Sequence, residues 1–443
     1  MFIKFLKVIF LFFCISFLSS GWAQSISFGD EILPVIIKKC ANCHYENGYA
    51  PFALTNFEEV QKHIREMAIV IKNGSMPPWK ADRSFRKFAG DRSLTDTEKV
   101  LLLNWINSGA INRKSTITKN YATHHIMDTG EILLKMTHPF TIKASLNNTY
   151  ISYKIPFELD SNYAISALRF IPGNKSVVHH ATYQIFEVDS SVDLYSGPDF
   201  FTYDEDSNNR VIDFRDFSYF NMLGKNGAFP KELYHGGWLP GTEKIQFPKG
   251  VGFTMPKRGI LLIRSLHYSP SSIDVPDQSA LSLFVAKNAI ERTVGFAAFQ
   301  PRNPSRGYNW VIPADTIYRA HINVRFTNDV SILYINPHMH LIGKSFKALA
   351  VSPKGDTIPL VHIPDWDFNW QDFYRFEKMV HIPAGSILHA EATYDNTNKN
   401  PFNPNFPAKA MPFETGMNES NEMMRLVILY LPYLIGDENV SLE

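Results

Sequence analysis

Two sets of residues in this 443-residue sequence have types and spacings that do chemistry. The first is Cys40-Ala41-Asn42-Cys43-His44, with the C-x-x-C-H spacing of c-type haem attachment. One helical turn brings both sulfurs, which form thioethers to the haem vinyl groups, and the adjacent imidazole, an axial iron ligand, to one haem edge. The competing reading is a thioredoxin-like redox pair. That reading needs a βαβ pattern, whereas the motif follows a helix-like run, Asp30 to Lys39. A second axial ligand is expected downstream. Met76, in Gly74-Ser75-Met76-Pro77-Pro78-Trp79, offers a thioether in a proline-fixed loop, and a Met ligand raises the reduction potential in a way that suits electron transfer. Met67 and His63 compete for that role. Phe57, Val60, Ile64, Met67 and Ile71 form the apolar stripe of a helix over 57–72, capped through Asn56 and Glu59. Met67 therefore belongs to a core, and His63 lies beside the stripe at the surface.

The second set is drawn from 15 histidines, five of which fall into three groups. His179-His180 follows Lys175-Ser176-Val177-Val178, His267-Tyr268 closes the run Ile260 to Leu266, and His338-Met339-His340 follows Ile332 to Pro337. Each group sits at or near the end of a strand-like segment. His338 and His340, two apart on extended chain, project to one side and can share a metal. His179 and His180 face opposite sides of a regular strand, so binding one ion demands a bulge or a strand end. Imidazole suits Zn, Cu, Fe and Ni. Blue copper needs a thiolate that this region lacks, and no H-E-x-x-H helix is present. Met423, in Ser420-Asn421-Glu422-Met423-Met424, is a thioether that beside two imidazoles favours Cu(I), although a Met in a strand is also ordinary core material. The adjacent pair His124-His125 has no third ligand nearby and reads as solvated.

These residues need elements to hold them. Thr95 to Glu98 is a capping box that opens a helix running through Trp105 to Gly109. Attachment helix, Met loop and Trp-bearing closing helix together resemble a small cytochrome c domain, over about residues 26–112. Residues 113–135 are polar and aperiodic and read as a linker. From residue 136, short runs such as Tyr150 to Ile155 recur between turn signals. Pro256-Lys257-Arg258-Gly259, Pro313-Ala314-Asp315-Thr316 and Pro383-Ala384-Gly385-Ser386 repeat similar turn chemistry, as in β-sandwiches or barrels. At the N-terminus, Lys4 and Lys7 precede an apolar stretch, Val8 to Leu18, that is too short to span a bilayer, and Gly21 and Ala23 offer a cleavage site. This predicts a signal peptide over 1–23 and a periplasmic or secreted chain with no transmembrane segment. Cys14 lies in that peptide, so the exported chain keeps no cysteine for disulfides and must hold together by packing. A net charge of +1 without a basic run gives no case for nucleic acid, and 45% hydrophobic with 20% charged residues excludes a disordered chain.

In their order, Val178-His179-His180, His267-Tyr268, Pro337-His338-Met339-His340 and Asn421-Glu422-Met423 resemble the ligand motifs of the copper type II, ascorbate-dependent monooxygenases. That family includes the peptidylglycine α-hydroxylating and dopamine β-monooxygenases. The resemblance covers about residues 136–440, and bacterial members are similar further at Gly236-Gly237-Trp238-Leu239-Pro240-Gly241 and Tyr394-Asp395-Asn396. It implies two all-β sandwich domains, jelly-roll-like, with a cleft between them. It also implies one copper on His179, His180 and His267 that stores and passes an electron, and a second on His338, His340 and Met423 that binds O2 and attacks a substrate C–H bond. Three positions depart from the animal peptide enzyme: Asn336 stands for an Arg two residues before the H-x-H motif, Val427 for a Tyr four after the ligand Met, and Ser265 for a Gln two before the third His. The substrate class is left open by these changes.

The expected fold is therefore multidomain: signal peptide 1–23, a small all-α cytochrome c-like haem domain over 24–112, linker 113–135, and two copper β-sandwich domains over 136–285 and 286–443. The expected function is an exported copper monooxygenase that hydroxylates an aliphatic C–H bond of a small organic substrate with O2. Single electrons would pass through one covalent haem c to two mononuclear coppers, from ascorbate or a redox protein. One alternative is an electron-transfer or copper-binding protein with no oxygenase activity. The other is a β-sandwich binding module with structural histidines, fused to a cytochrome.

Overall fold

The computed structural model describes residues 26–112, 129–202, 217–242, 244–301, 310–413 and 421–442. The segment expected as a signal peptide and the His124-His125 pair lie outside them. Strands dominate from residue 132 onward, arranged among the described residues as two pairs of larger sheets with two further two-stranded ones.

In the first pair, a five-stranded sheet has the order Phe200–Thr202, Thr149–Glu158, Arg258–Tyr268, Val178–Glu187, Lys231–Trp238. Against it lies a sheet built on Tyr163–Ile171, flanked by Val251–Met255 and Ala280–Val285. Ile151, Tyr153 and Ile155 of one sheet and Ile165, Leu168 and Phe170 of the other enter a shared core. The Phe170 and Tyr183 rings stack across it at 6.0 Å. The second pair sets the sheet Tyr374–Ile382, Val330–His338, Arg425–Pro432, Gly295–Phe299 against Ile317–Arg325, Ile387–Asp395, Gly343–Val351, Thr357–Ile363. With no disulfide among the described residues, burial of such aliphatic and aromatic side chains supplies the cohesion.

Residues 26–112 form a helical lobe. A π-turn, Phe28–Ile32, leads into α-helix Leu33–Lys39, followed by Phe57–Lys62, Ile64–Asn73 and Asp96–Asn107. Local chemistry sets the ends. The Asn56 side chain accepts from the Glu59 N–H at 2.9 Å, Gly74 ends the third helix with φ at 76°, and Thr95 with Glu98 forms the full capping box. The single helix expected over 57–72 is broken at His63, whose φ and ψ of −110° and 15° divide it in two. The His63 ring stacks on Phe52 at 3.7 Å.

The expected self-contained all-α cytochrome c domain is not what this lobe is, and no such domain is evident at the N-terminus. Four short helices bury only a small core of their own, around Ile32, Ile36, Val60, Leu102 and Trp105. The chain between the third and fourth helices belongs to the β body. Phe88 and Ala89 pair antiparallel with Phe376 and Arg375 as an edge strand. Trp79 meets Tyr374 edge-on at 5.2 Å, and the buried Arg92 guanidinium donates to Asp372 at 2.6 Å. The chain is therefore mostly β-sheet with a helical flank sewn into it.

Candidate functional site

His180 and His267 face each other in the ladder between Val178–Glu187 and Arg258–Tyr268. Two bulges bracket that pair. Thr182 pairs with Arg264, so one extra residue lies on the His267 strand, where Ser265 takes a left-handed φ of 45°. Val178 pairs with Tyr268, so the extra residue on the other strand is His179. A bulged residue leaves the ladder and re-aims its side chain, which turns His179 towards its neighbour. The donor nitrogens of His179, His180 and His267 then lie within 4.8 Å of one another. The Nδ1 atoms of His180 and His267 are 3.1 Å apart, and His179 Nδ1 is buried without a partner. With metal–imidazole bonds of about 2 Å, nitrogens on one ion stand roughly 3 Å apart; the His180–His267 pair has that spacing, and His179 lies within 4.8 Å of both. Burial lowers the pKa of all three, most strongly for His180 and His267, so the rings are neutral with lone pairs available.

His338 ends strand Val330–His338 and pairs with Arg425, and His340 follows two residues on. Their ring centroids are 5.1 Å apart. His338 Nδ1 donates to the Gln371 side-chain oxygen, and His340 Nδ1 donates to the Asn421 carbonyl at 2.8 Å. Those bonds fix the tautomers and leave each Nε2 as the ligand atom; His340 Nε2 is buried and unpartnered. Burial lowers both pKa values, His340 to about 4. Met423 is buried and lines the same cavity as His338. It is brought there by its neighbour: the Glu422 carboxylate accepts the N–H groups of His340 at 2.9 Å and Ile342 at 2.8 Å. Burial pushes Glu422 up to about 8 despite these donors. The Tyr394 hydroxyl donates to the Met423 carbonyl at 2.8 Å, which gives Tyr394-Asp395-Asn396 a structural role.

Cys40, Cys43 and His44 line a third feature, a cavity of about 480 Å³ with mostly apolar walls that also include Met67 and the exposed Met76. Burial pushes the Cys40 thiol up to about 12 and Cys43 to about 11, opposite to the lowered thiol of a redox pair. His44 Nδ1 donates to the Phe52 carbonyl at 3.1 Å, leaving Nε2 as the free ring nitrogen. The apolar walls suit a macrocycle with the two thiols and the imidazole at one edge, while Lys39, Arg92 and Lys175 on the walls are engaged with the Asp91 carbonyl, Asp372 and the Tyr45 hydroxyl. Residues and cavity thus fit a covalently attached haem.

One segment that sequence reasoning passed over touches all three features. Between strands Thr357–Ile363 and Tyr374–Ile382, Trp366 Nε1 donates to the His340 carbonyl at 3.2 Å. Phe368 lies 6.4 Å from the His180 ring and 5.9 Å from His340. Trp370 lies 6.1 Å from His179, Gln371 holds His338, and Asp372 holds Arg92. Its one signal in the sequence is alternation: Trp366, Phe368 and Trp370 at a period of two in a segment too polar to be a core strand. A cavity of about 320 Å³ reaches His180 of one cluster and His338 and Met423 of the other. Its walls include Gln184, Glu232, Arg264 and Arg425, together with the departures Asn336, Ser265 and Val427. The Gly236 to Gly241 run is explained as well: Phe373 packs where a Gly237 side chain would project, and Gly241 lies against Cys43.

Residues 318–438 match the copper type II ascorbate-dependent monooxygenase C-terminal domain, a family that uses copper, O2 and ascorbate. The matched segment contains His338, His340 and Met423 and points to a copper-dependent oxidoreductase. No curated protein matches the chain. Among solved structures, that of the infectious bursal disease virus Gx strain is 8% identical over 70% of this chain and 74% of its own, with a TM-score of 0.17. The VP2 subviral particle of infectious bursal disease virus is 10% identical over 74% and 77%, also at 0.17. Likeness at that level carries no argument about fold or function.

Proposed function

We propose that this chain is an exported copper monooxygenase that hydroxylates an aliphatic C–H bond of a small organic substrate with O2, coupled to a covalent haem on Cys40 and Cys43. One observation carries the reading: one cavity is lined by His180 of the all-imidazole cluster and by His338 and Met423 of the other set. Copper, when bound, supplies one-electron redox chemistry and O2 activation. His179, His180 and His267 would hold one ion in a set without sulfur, suited to passing electrons. His338, His340 and Met423 would hold the other, with the thioether favouring Cu(I). The protein's part is to hold neutral imidazoles by their second nitrogens, to exclude bulk water with Phe296 and Phe373, and to orient the substrate against Gln184, Arg264 and Arg425. His44 and Met76 would ligate the haem iron, which would supply one-electron transfer, with ascorbate or a redox protein as the outside donor.

The test is copper titration of the full chain, followed by EPR and by O2 uptake with product analysis, on wild type and His338→Ala side by side. The reading expects O2 uptake matched by hydroxylated product in wild type and lost in the variant. Copper binding with no coupled uptake would instead mark an electron-transfer protein. Unchanged copper content in His338→Ala would remove the second site.

A further inference from the structure

How electrons reach the three-imidazole cluster follows from the cavity walls; the inference rests on the haem and copper reading above. The far side of the Cys40–Cys43 cavity is closed by the β body, through Val178, His179, Pro240, Ser269 and Trp370. Of the six candidate copper ligands, His179 alone lines this cavity. Its ring is thus both cavity wall and cluster member, because the bulge that turns it out of the ladder leaves it between the two. Trp370 stands beside it with ring centroids 6.1 Å apart.

The separation is fixed by the packing around it. Gly241, with φ at 85°, sits so close to Cys43 that an added Cβ would stand 2.8 Å from Sγ. Tyr49 meets Trp238 edge-on at 5.4 Å, and Lys175 donates to the Tyr45 hydroxyl at 3.1 Å. The Arg92–Asp372 pair pins the loop that carries Trp370, and separating a buried pair of this kind is costly. Electron tunnelling falls steeply with distance, so a one-electron route is fastest across a short, fixed contact. This wall provides one, and it does so only at the first cluster.

We propose that His179 and Trp370 are the contact through which ferrous haem on Cys40 and Cys43 reduces Cu(II) held by His179, His180 and His267. One electron moves, giving ferric haem and Cu(I), with no proton or atom transferred. The outside one-electron donor then acts at the helical lobe and has no need to enter the cleft.

The experiment is pulse radiolysis of the oxidised full-length protein, after haem content is measured by absorbance and Cu(II) by EPR. Haem reduced by the pulse is followed optically as it reoxidises. The expected result is a first-order reoxidation whose rate is independent of protein concentration, present in wild type and in His340→Ala, and absent in His267→Ala. Trp370→Leu slows it by at least an order of magnitude with unchanged haem spectrum and copper EPR, and Trp370→Phe restores most of the rate. Reoxidation proportional to protein concentration, or equally fast in His267→Ala or Trp370→Leu, overturns the route while leaving the haem and copper reading intact. Protein that carries no haem or binds no copper overturns that reading, and the route with it.

Discussion

His180 and His267 are held by backbone: they face each other across one ladder, bracketed by a bulge on each strand, and the third imidazole is itself a bulged residue. His338, His340 and Met423 are held by side chains. Gln371 fixes one ring, the Asn421 carbonyl fixes the other, and the Glu422 carboxylate ties the turn after His338 to the segment that brings Met423. Sheet hydrogen bonds on both sides make the first cluster stiff, as suits an ion that changes charge without changing ligands. The second can shift a thioether or a ring with little backbone cost, as suits an ion that must accept a new partner.

Four perturbations sharpen or break that contrast. The largest is ligand loss. His267→Ala is expected to lower bound copper from about two equivalents per chain to about one while leaving a thioether-containing site, and Met423→Ile to retain the all-imidazole site, both read by titration and EPR. Next comes Glu422→Ala, which strands buried N–H groups of His340 and Ile342 and should cost roughly 3 kcal/mol by chemical denaturation. Copper affinity should fall at the second site only. Equal loss at both sites would show that the clusters are not held separately.

Gln371→Leu removes the acceptor that orients His338. It should weaken the second site by about 10–100-fold with little change in stability, measured by competition titration. The smallest effect tests a latch outside both candidate ligand clusters. Burial alone would raise Asp437, but two Arg292 bonds at 2.7 and 2.8 Å and the Ser331 hydroxyl at 2.6 Å bring it down to about 2. Its pKa is depressed on folding, so its stabilisation is complete above the unfolded value near 4 and is lost as pH falls towards 2, amounting to about 2 kcal/mol. Asp437→Asn should narrow the stability gap to wild type as pH drops across that window, with copper binding unchanged.

Much of the site was legible because its donors are rare residue types in short runs. His179-His180 even announced its own geometric demand, since adjacent side chains on a regular strand diverge and a bulge or a strand end is needed to reunite them; a bulge is there at His179. Long alternating or apolar runs such as Ile260 to Leu266 also marked their strand. The helical lobe misled for a physical reason. Its caps and amphipathic stripes are local signals and were readable, whereas its attachment to the β body depends on Phe88–Ala89, a two-residue strand with no period, and on Arg92 meeting Asp372 across 280 residues of chain. The 366–373 loop was missed likewise: its role lies in contacts made at distance, and nothing local distinguishes Gln371 from any surface glutamine.

Sulfur scattering in the copper X-ray absorption spectrum of the fully reduced protein bears most directly on the existence of two unlike sites. Two sites with one thioether between them predict about half a sulfur per copper in wild type, about one in His267→Ala and none in Met423→Ile. Absence of sulfur in wild type, or its persistence in Met423→Ile, would contradict the assignment of His338, His340 and Met423 to a common ion.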